Sequence, residues 1–145
     1  MESYDLGYRF KKIHECFRAN GNRRAKNFGL TRTQMDILFY LFKAKNEVTQ
    51  RDLELHFDIK HSTARGILGR MEKNGFVTIS VSKADKRQRC ISLSPKAYDV
   101  QSDCKAQREY IEKRFTQKFT KEELDTLTSL LDKTYDILKE DNQND

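Results

Sequence analysis

Apolar residues recur along this chain with a period that changes from helical to extended and back to helical. In residues 3–19, Leu6, Phe10, Ile13 and Phe17 fall at intervals of 4, 3 and 4, the stripe of an amphipathic helix. Asn20-Gly21-Asn22 is a candidate interruption, and Arg23, Arg24 and Lys26 follow as a basic patch. Thr31 and Gln34 have the spacing of a capping box, in which hydroxyl and amide satisfy each other's exposed backbone N–H groups. The next helix carries Met35, Leu38, Phe39 and Phe42, widened by Ile37 and Leu41, a face broad enough for the centre of a core. Thr49 with Asp52 reads as another N-cap, ahead of a short helix over Gln50–Phe57 with Leu53 and Phe57 inward.

After a brief turn at Asp58-Ile59 comes the stretch Lys60–Gly75, KHSTARGILGRMEKNG. Ala64, Ile67, Leu68 and Met71 lie at i, i+3, i+4 and i+7, one stripe of a helix. The opposite side holds Ser62, Gly66, Gly69 and Lys73, flanked by Thr63, Arg65 and Arg70. One face is built to pack; the other is small, hydroxylated and basic. Asn74-Gly75 gives the stop, because Gly accepts the left-handed conformation after a last turn. The period then becomes two. Val77, Ile79 and Val81 alternate with Thr78 and Ser80, and Ile91 and Leu93 with Cys90 and Ser92, the pattern of half-buried strands. Between them Ser82–Arg89 sets Lys83, Lys86, Arg87 and Arg89 against Asp85 alone, a long basic hairpin tip.

Ser94-Pro95 opens a further helix, with Ser as cap and Pro at the first helical position, where its missing N–H had no partner. Val100, Cys104, Ile111, Phe115 and Phe119 mark its stripe. Thr120 and Glu123 form a third capping box. The last helix carries Leu124, Leu127, Leu131 and Leu138, with Leu130, Tyr135 and Ile137 beside them.

These elements predict an α+β fold, mainly helical with a small β-hairpin. Two short helices joined by a tight turn, then a basic hairpin, make residues 30–94 a winged helix-turn-helix unit within a single domain of 1–145. Its second helix, with small and cationic side chains outward, suits the major groove of DNA. Residues 1–28 and 95–140 carry apolar stripes that so small a unit does not cover. A second copy of the chain would cover them, which makes Leu6, Phe10, Ile13, Phe17, Phe115, Phe119, Leu127, Leu131 and Leu138 candidates for a homodimer interface. Twofold symmetry would set the two outward helices roughly 34 Å apart, one turn of DNA.

Charge sharpens this picture. The chain has 28 Lys and Arg against 22 Asp and Glu, a net +6. Residues 120–145 carry 3 Lys and 8 acids, so residues 1–119 stand at +11. A basic body favours an anionic partner, with plain solubility the alternative. No run of ~18 apolar residues exists to span a membrane. The N-terminal MESYDLGYRF lacks the apolar core of a secretory signal. Three cysteines, Cys16, Cys90 and Cys104, at no regular spacing fit reduced thiols in a cytoplasm better than a disulfide framework. His14, His56 and His61 share no metal-ligand spacing with them, and there is no HExxH, CxxC, GxSxG, GxGxxG or Walker loop. No metal, cofactor or enzymatic activity is expected, and Glu122-Glu123 is explained by a helix N-terminus.

The order of elements, with LTRTQMDILFYL, HSTARGILGRMEKNGFV and KADKRQRCISLSPKA, resembles the MarR family of winged helix-turn-helix transcription regulators over about residues 5–140. The most specific piece is the wing, Asp85 and Arg87 followed by Ile91, Leu93 and Ser94; the pattern of residues 62–77 is nearly as specific. The resemblance implies a cytoplasmic homodimer on a pseudo-palindromic operator in double-stranded DNA. Such proteins are usually repressors, and a small-molecule effector, a metal or an oxidant often releases them. By position it places Ser62, Thr63 and Arg65 in the major groove and Arg87, held by Asp85, in the minor groove. Gln50, Lys60 and His61 are expected to meet phosphate, with Lys83, Lys86 and Arg89 as further cations of the wing. Gly66 departs from the family, in which many members have Arg there; with Gly69 it offers either close backbone approach to DNA or drift on a solvated face. Some members sense oxidants through a Cys on the first helix, which makes Cys16 a redox candidate beside its reading as a buried structural thiol. From another class, a winged-helix interaction module could meet an acidic protein with the same basic surface; sequence-specific DNA binding separates the two.

Overall fold

Three of the helices begin where short polar motifs fix their first turns. The computed structural model of the chain describes residues 3–143; Met1 and Glu2 of the N-terminal stretch and Asn144 and Asp145 of the acidic tail lie outside the described residues. Helix α1 (Leu6–Asn27) is followed by α2 (Arg32–Lys43), a short strand β1 (Val48–Thr49), α3 (Gln50–Phe57), α4 (His61–Lys73), the hairpin β2 (Val77–Val81) and β3 (Arg89–Leu93), α5 (Pro95–Lys118) and α6 (Lys121–Gln143). All three capping boxes form: Gln34 N–H donates to Thr31 Oγ1 at 3.2 Å, Asp52 N–H to Thr49 Oγ1 at 3.2 Å and Glu123 N–H to Thr120 Oγ1 at 3.1 Å, each with the reciprocal bond.

Two helices end alike. Gly75, at φ 83°, lets its own N–H reach Glu72 O and the Phe76 N–H reach Met71 O, both at 3.0 Å, a Schellman turn that closes α4. Gly29, at φ 70°, closes α1 in the same way. Asn20-Gly21-Asn22 does not interrupt α1, contrary to expectation. An interior Gly lowers helix stability without removing a hydrogen bond, and Arg32 Nη1 lies 3.0 Å from where a Gly21 Cβ would stand.

The chain divides into two compact units, one ending at Gln101 and the other starting at Ser102. In the first, Ile37, Leu38, Leu53, Ala64, Leu68, Met71, Phe76, Val77, Ile91, Ala97 and Val100 are buried and form the core. Helix α2 enters it with Met35, Ile37, Leu38 and Leu41, while Phe39 is exposed and Phe42 half-buried, so the buried stripe is rotated from the expected one. Three strands make an antiparallel sheet in the order β1-β3-β2, with Val48 opposite Ile91 and Val77 opposite Leu93. Sequence periodicity had marked only β2 and β3. In the second unit the end of α5 and α6 carry no buried residue, and Phe115 stacks on Phe119 at 5.7 Å between centroids.

Candidate nucleic-acid interface

Helix α4 is tied to the core by Ala64, Leu68 and Met71, and this orients everything opposite. Ile67, from the same predicted stripe, is half-buried. Ser62, Thr63 and Arg65 are exposed in its first turns, as are Lys60 and His61 at its start. No acidic residue lies in the first turn, and Arg70 and Lys73 occupy the last. Two bonds fix the far end of the helix to its neighbours. Glu72 Oε2 accepts from Ile79 N–H of β2 at 2.8 Å. Lys96 of α5 donates to Asn74 O at 3.0 Å, with its ammonium 4.6 Å from the Phe76 ring centroid. A cation against the last carbonyls also suits the dipole of α4.

The hairpin tip is ordered by its own polar groups. Ser82 N–H donates to Gln88 O at 2.9 Å, closing a loop around Lys83, Asp85, Lys86 and Arg87. The buried Ser82 hydroxyl accepts from Ala84 and Asp85 N–H and donates to Glu47 Oε2 at 2.7 Å. Glu47 Oε1 accepts from Lys83 N–H at 3.2 Å. The Ser82 hydroxyl, then the Lys83 N–H, hold the Glu47 carboxyl below its ordinary pKa. The neighbouring Cys90 thiol is pushed up, first by burial and then by Glu47. At the tip Asp85 accepts from Arg87 three times: from its backbone N–H at 3.0 Å, Nε at 3.1 Å and Nη2 at 3.3 Å. The Arg87 side chain is the first cause, and its N–H the second, that hold the Asp85 carboxyl below its usual range. The Arg87 side chain itself is 89% exposed, so the guanidinium is oriented and still accessible.

Gln50 corrects the sequence reading. It is only 2% exposed and is no free phosphate donor. Its amide sits 3.3 Å from Glu54 Oε2 and 3.2 Å from His61 Nδ1, and its carbonyl accepts from Arg89 Nη1 at 3.1 Å. Arg89 is accordingly half-buried at the root of the wing. Lys83, Lys86 and Arg87 remain exposed, and Asp85 is half-buried. Sequence reasoning missed Glu47, Glu54 and Glu72, the three carboxylates that hold loop, helix start and strand.

Leu6, Phe10, Ile13 and Phe17 are exposed along α1; in the second unit Phe115, Phe119, Leu131 and Leu138 are exposed and Leu127 is half-buried. In the single chain Cys16 is also exposed, on a helix whose one buried residue is Ala25. Cys90 is buried and Cys104 half-buried. A groove of about 590 Å³ lies between α2 and α3, lined by Phe39, Tyr40, Lys43, His56 and Phe57. Among the described residues no cluster of His, Cys, Asp and Glu could hold a metal ion, and no helix is long and apolar enough to cross a membrane.

The family model of the MarR family matches residues 28–88. The transcription regulator MarR from Oenococcus oeni is 34% identical, with a TM-score of 0.59 over 90% of this chain and 98% of its own. The chain belongs to the MarR family. It has the winged-helix fold of these transcription regulators, in which α3 and α4 are the helix-turn-helix and β2–β3 the wing. MepR, a transcription regulator of the Staphylococcus aureus multidrug efflux pump MepA, shares the fold at 19% identity and a TM-score of 0.77, over 94% of this chain and 99% of its own. The S. aureus MepR–DNA complex matches at 20% identity and a TM-score of 0.74, over 91% of this chain and 98% of its own. No curated protein sequence matches the chain.

Proposed function

We propose that this MarR-family protein is a dimeric, sequence-specific DNA-binding repressor that occludes a pseudo-palindromic operator. The observation that carries the reading is the pairing of two oriented basic elements in one unit. Helix α4 offers Lys60, His61, Ser62, Thr63 and Arg65, and the wing offers an Arg87 already locked by Asp85. In this reading Ser62, Thr63 and Arg65 meet base edges in the major groove, Arg87 enters the minor groove, and Lys60, His61, Lys83 and Lys86 meet phosphate. Residues 30–94 are the DNA-binding unit. Residues 1–28 and 95–140 pair with a second copy, which would cover the exposed stripes of α1 and of the second unit. The structure of a MepR–DNA complex supports the assignment by likeness of fold. Release by an effector completes the proposal; the groove of Phe39, Tyr40, His56 and Phe57, with Asp36 and Lys43 at its wall, suits a small aromatic molecule.

The test is selection from random duplex DNA at about 150 mM salt, where non-specific phosphate binding is weak. Enrichment of an inverted repeat with half-sites about one turn apart is the expected result. A flat profile refutes the reading. Light scattering at micromolar concentration tests the dimer, which a monomeric mass would exclude.

A further inference from the structure

A polar cluster centred on two buried side chains, Glu54 and Gln50, joins three parts of the first unit. Glu54 lies in the middle of α3, and its side chain is only 6% exposed. Its Oε2 is 3.2 Å from His61 Nδ1 at the start of α4 and 3.3 Å from Gln50 Nε2. Its Oε1 is 3.6 Å from Arg51 Nη1. Gln50, equally hidden, passes the contact on by accepting from Arg89 Nη1 at the base of the wing. Helix α4 has no side-chain cap of its own, since Lys60 supplies none. The first turn of the recognition helix is therefore held from outside, by α3, and the carbonyl end of the same Gln50 amide holds the wing strand.

A carboxylate here works against binding, since the surface above it is built of cations for a polyanion, which it repels. Packing does not demand it, since Leu53 alone of this helix fills the core. What Glu54 supplies that an apolar residue would not is a fixed relation between His61, Gln50 and Arg89. We infer that Glu54 and Gln50 are positioning residues, which lock the start of the recognition helix to the root of the wing so that both enter successive grooves in one register. This rests on the DNA-binding reading above and reassigns Gln50 from phosphate contact to internal link.

Electrostatics and positioning predict opposite signs, which makes the inference testable. Glu54→Gln removes one negative charge beneath a DNA-facing surface while keeping the side chain's shape. If charge alone mattered, binding to every duplex would tighten. As a positioning residue, its loss weakens binding to the inverted-repeat duplex selected by the wild-type protein, by roughly tenfold or more, while binding to a shuffled duplex of the same composition stays equal or tightens. The salt slope on the selected duplex stays unchanged, because no phosphate contact is lost. Gln50→Met, of similar volume, gives the same loss of discrimination, and the double variant loses less than the product of the two single effects. Unchanged preference for the selected duplex, or equal loss on both duplexes, overturns the inference.

Amide exchange in the free protein separates its failure from that of the DNA reading. Both variants should speed exchange at Ala64, Ser82 and Gln88, whose N–H groups close the first turn of α4 and the wing, and leave Leu124 in α6 as it was. If the wild-type protein selects no duplex, the DNA reading fails and this exchange pattern still decides: unchanged protection at those three amides overturns the lock itself.

Discussion

Two glycines on the outward face of α4 give a prediction in which stability and binding move in opposite directions. Gly66 and Gly69 lie inside the helix at ordinary helical φ. A Cβ at Gly69 would meet nothing within 4 Å, and one at Gly66 only the Arg70 guanidinium at 3.6 Å, an ordinary van der Waals contact. Nothing in the isolated fold therefore requires glycine at either position. Each Gly→Ala exchange should stabilise the protein by about 1 kcal/mol, through lower chain entropy in the unfolded state and better helix propensity. The pair, on one face and with no shared partner, should give about 2 kcal/mol. For a chain of this size that raises Tm by roughly 4–8 °C. Thermal melts at one fixed protein concentration measure it, since dimerisation would make Tm depend on concentration. If the glycines let the backbone of α4 approach the floor of the major groove, the two added methyls hold it off, and affinity for a selected duplex falls as Tm rises. A rise in Tm with unchanged affinity refutes the close-approach reading and leaves drift on a solvated face. A fall in Tm refutes the helix-propensity argument.

Three further outcomes are expected. Arg87→Ala should weaken DNA binding and lower the slope of log K against log salt by about 1, the loss of one charged contact; an unchanged affinity and slope would remove the wing from the mechanism. Glu47 has a folded pKa below its ordinary value, so its bonds to Ser82 and Lys83 contribute stability that is present above that ordinary value and lost as pH falls through the folded one. Melts across the acid range should then show wild type losing Tm more steeply than Glu47→Gln; parallel curves would count against the anchor. Thr31→Ala deletes the oxygen that accepts from Gln34 N–H and should cost about 1 kcal/mol in denaturant unfolding, and a change of a few tenths or less would show that the box at α2 contributes little.

What could be read from the sequence was whatever a few neighbouring residues decide. The three capping boxes need only a Thr and a Gln, Asp or Glu three positions on, and all three formed. The ion pair of Asp85 with Arg87 was expected from the family resemblance of the wing rather than from spacing, and it forms. The strand β1 was not, because two residues have no period. The wide stripe of α2 left its rotation open: Phe39 and Phe42 lose the centre to Ile37 and Leu41, which only the packing of neighbouring elements decides. Gln50 looked like an exposed helix-start residue, and it is buried because Arg89, 39 positions away, comes to it. Glu47 finds Ser82 across 35 positions.

This division bears on how the site itself can be known. The buried side of α4 is set by the fold, and periodicity finds it: Ala64, Leu68 and Met71. On the outward side Ser62, Thr63 and Arg65 are exposed, so apolar periodicity does not select them. In the proposed reading their identity answers to the base edges of a bound duplex. The carboxylates are the intermediate case. Glu54, Glu72 and Glu47 oppose the charge a DNA-binding face needs, yet each accepts from a distinct part of it: His61, Ile79 N–H and Ser82. A basic surface that retains three acids at its joints is constrained in geometry as well as in charge. Exchanging these acids should therefore tell more about sequence discrimination than removing any one surface lysine, whose loss would weaken all duplexes alike.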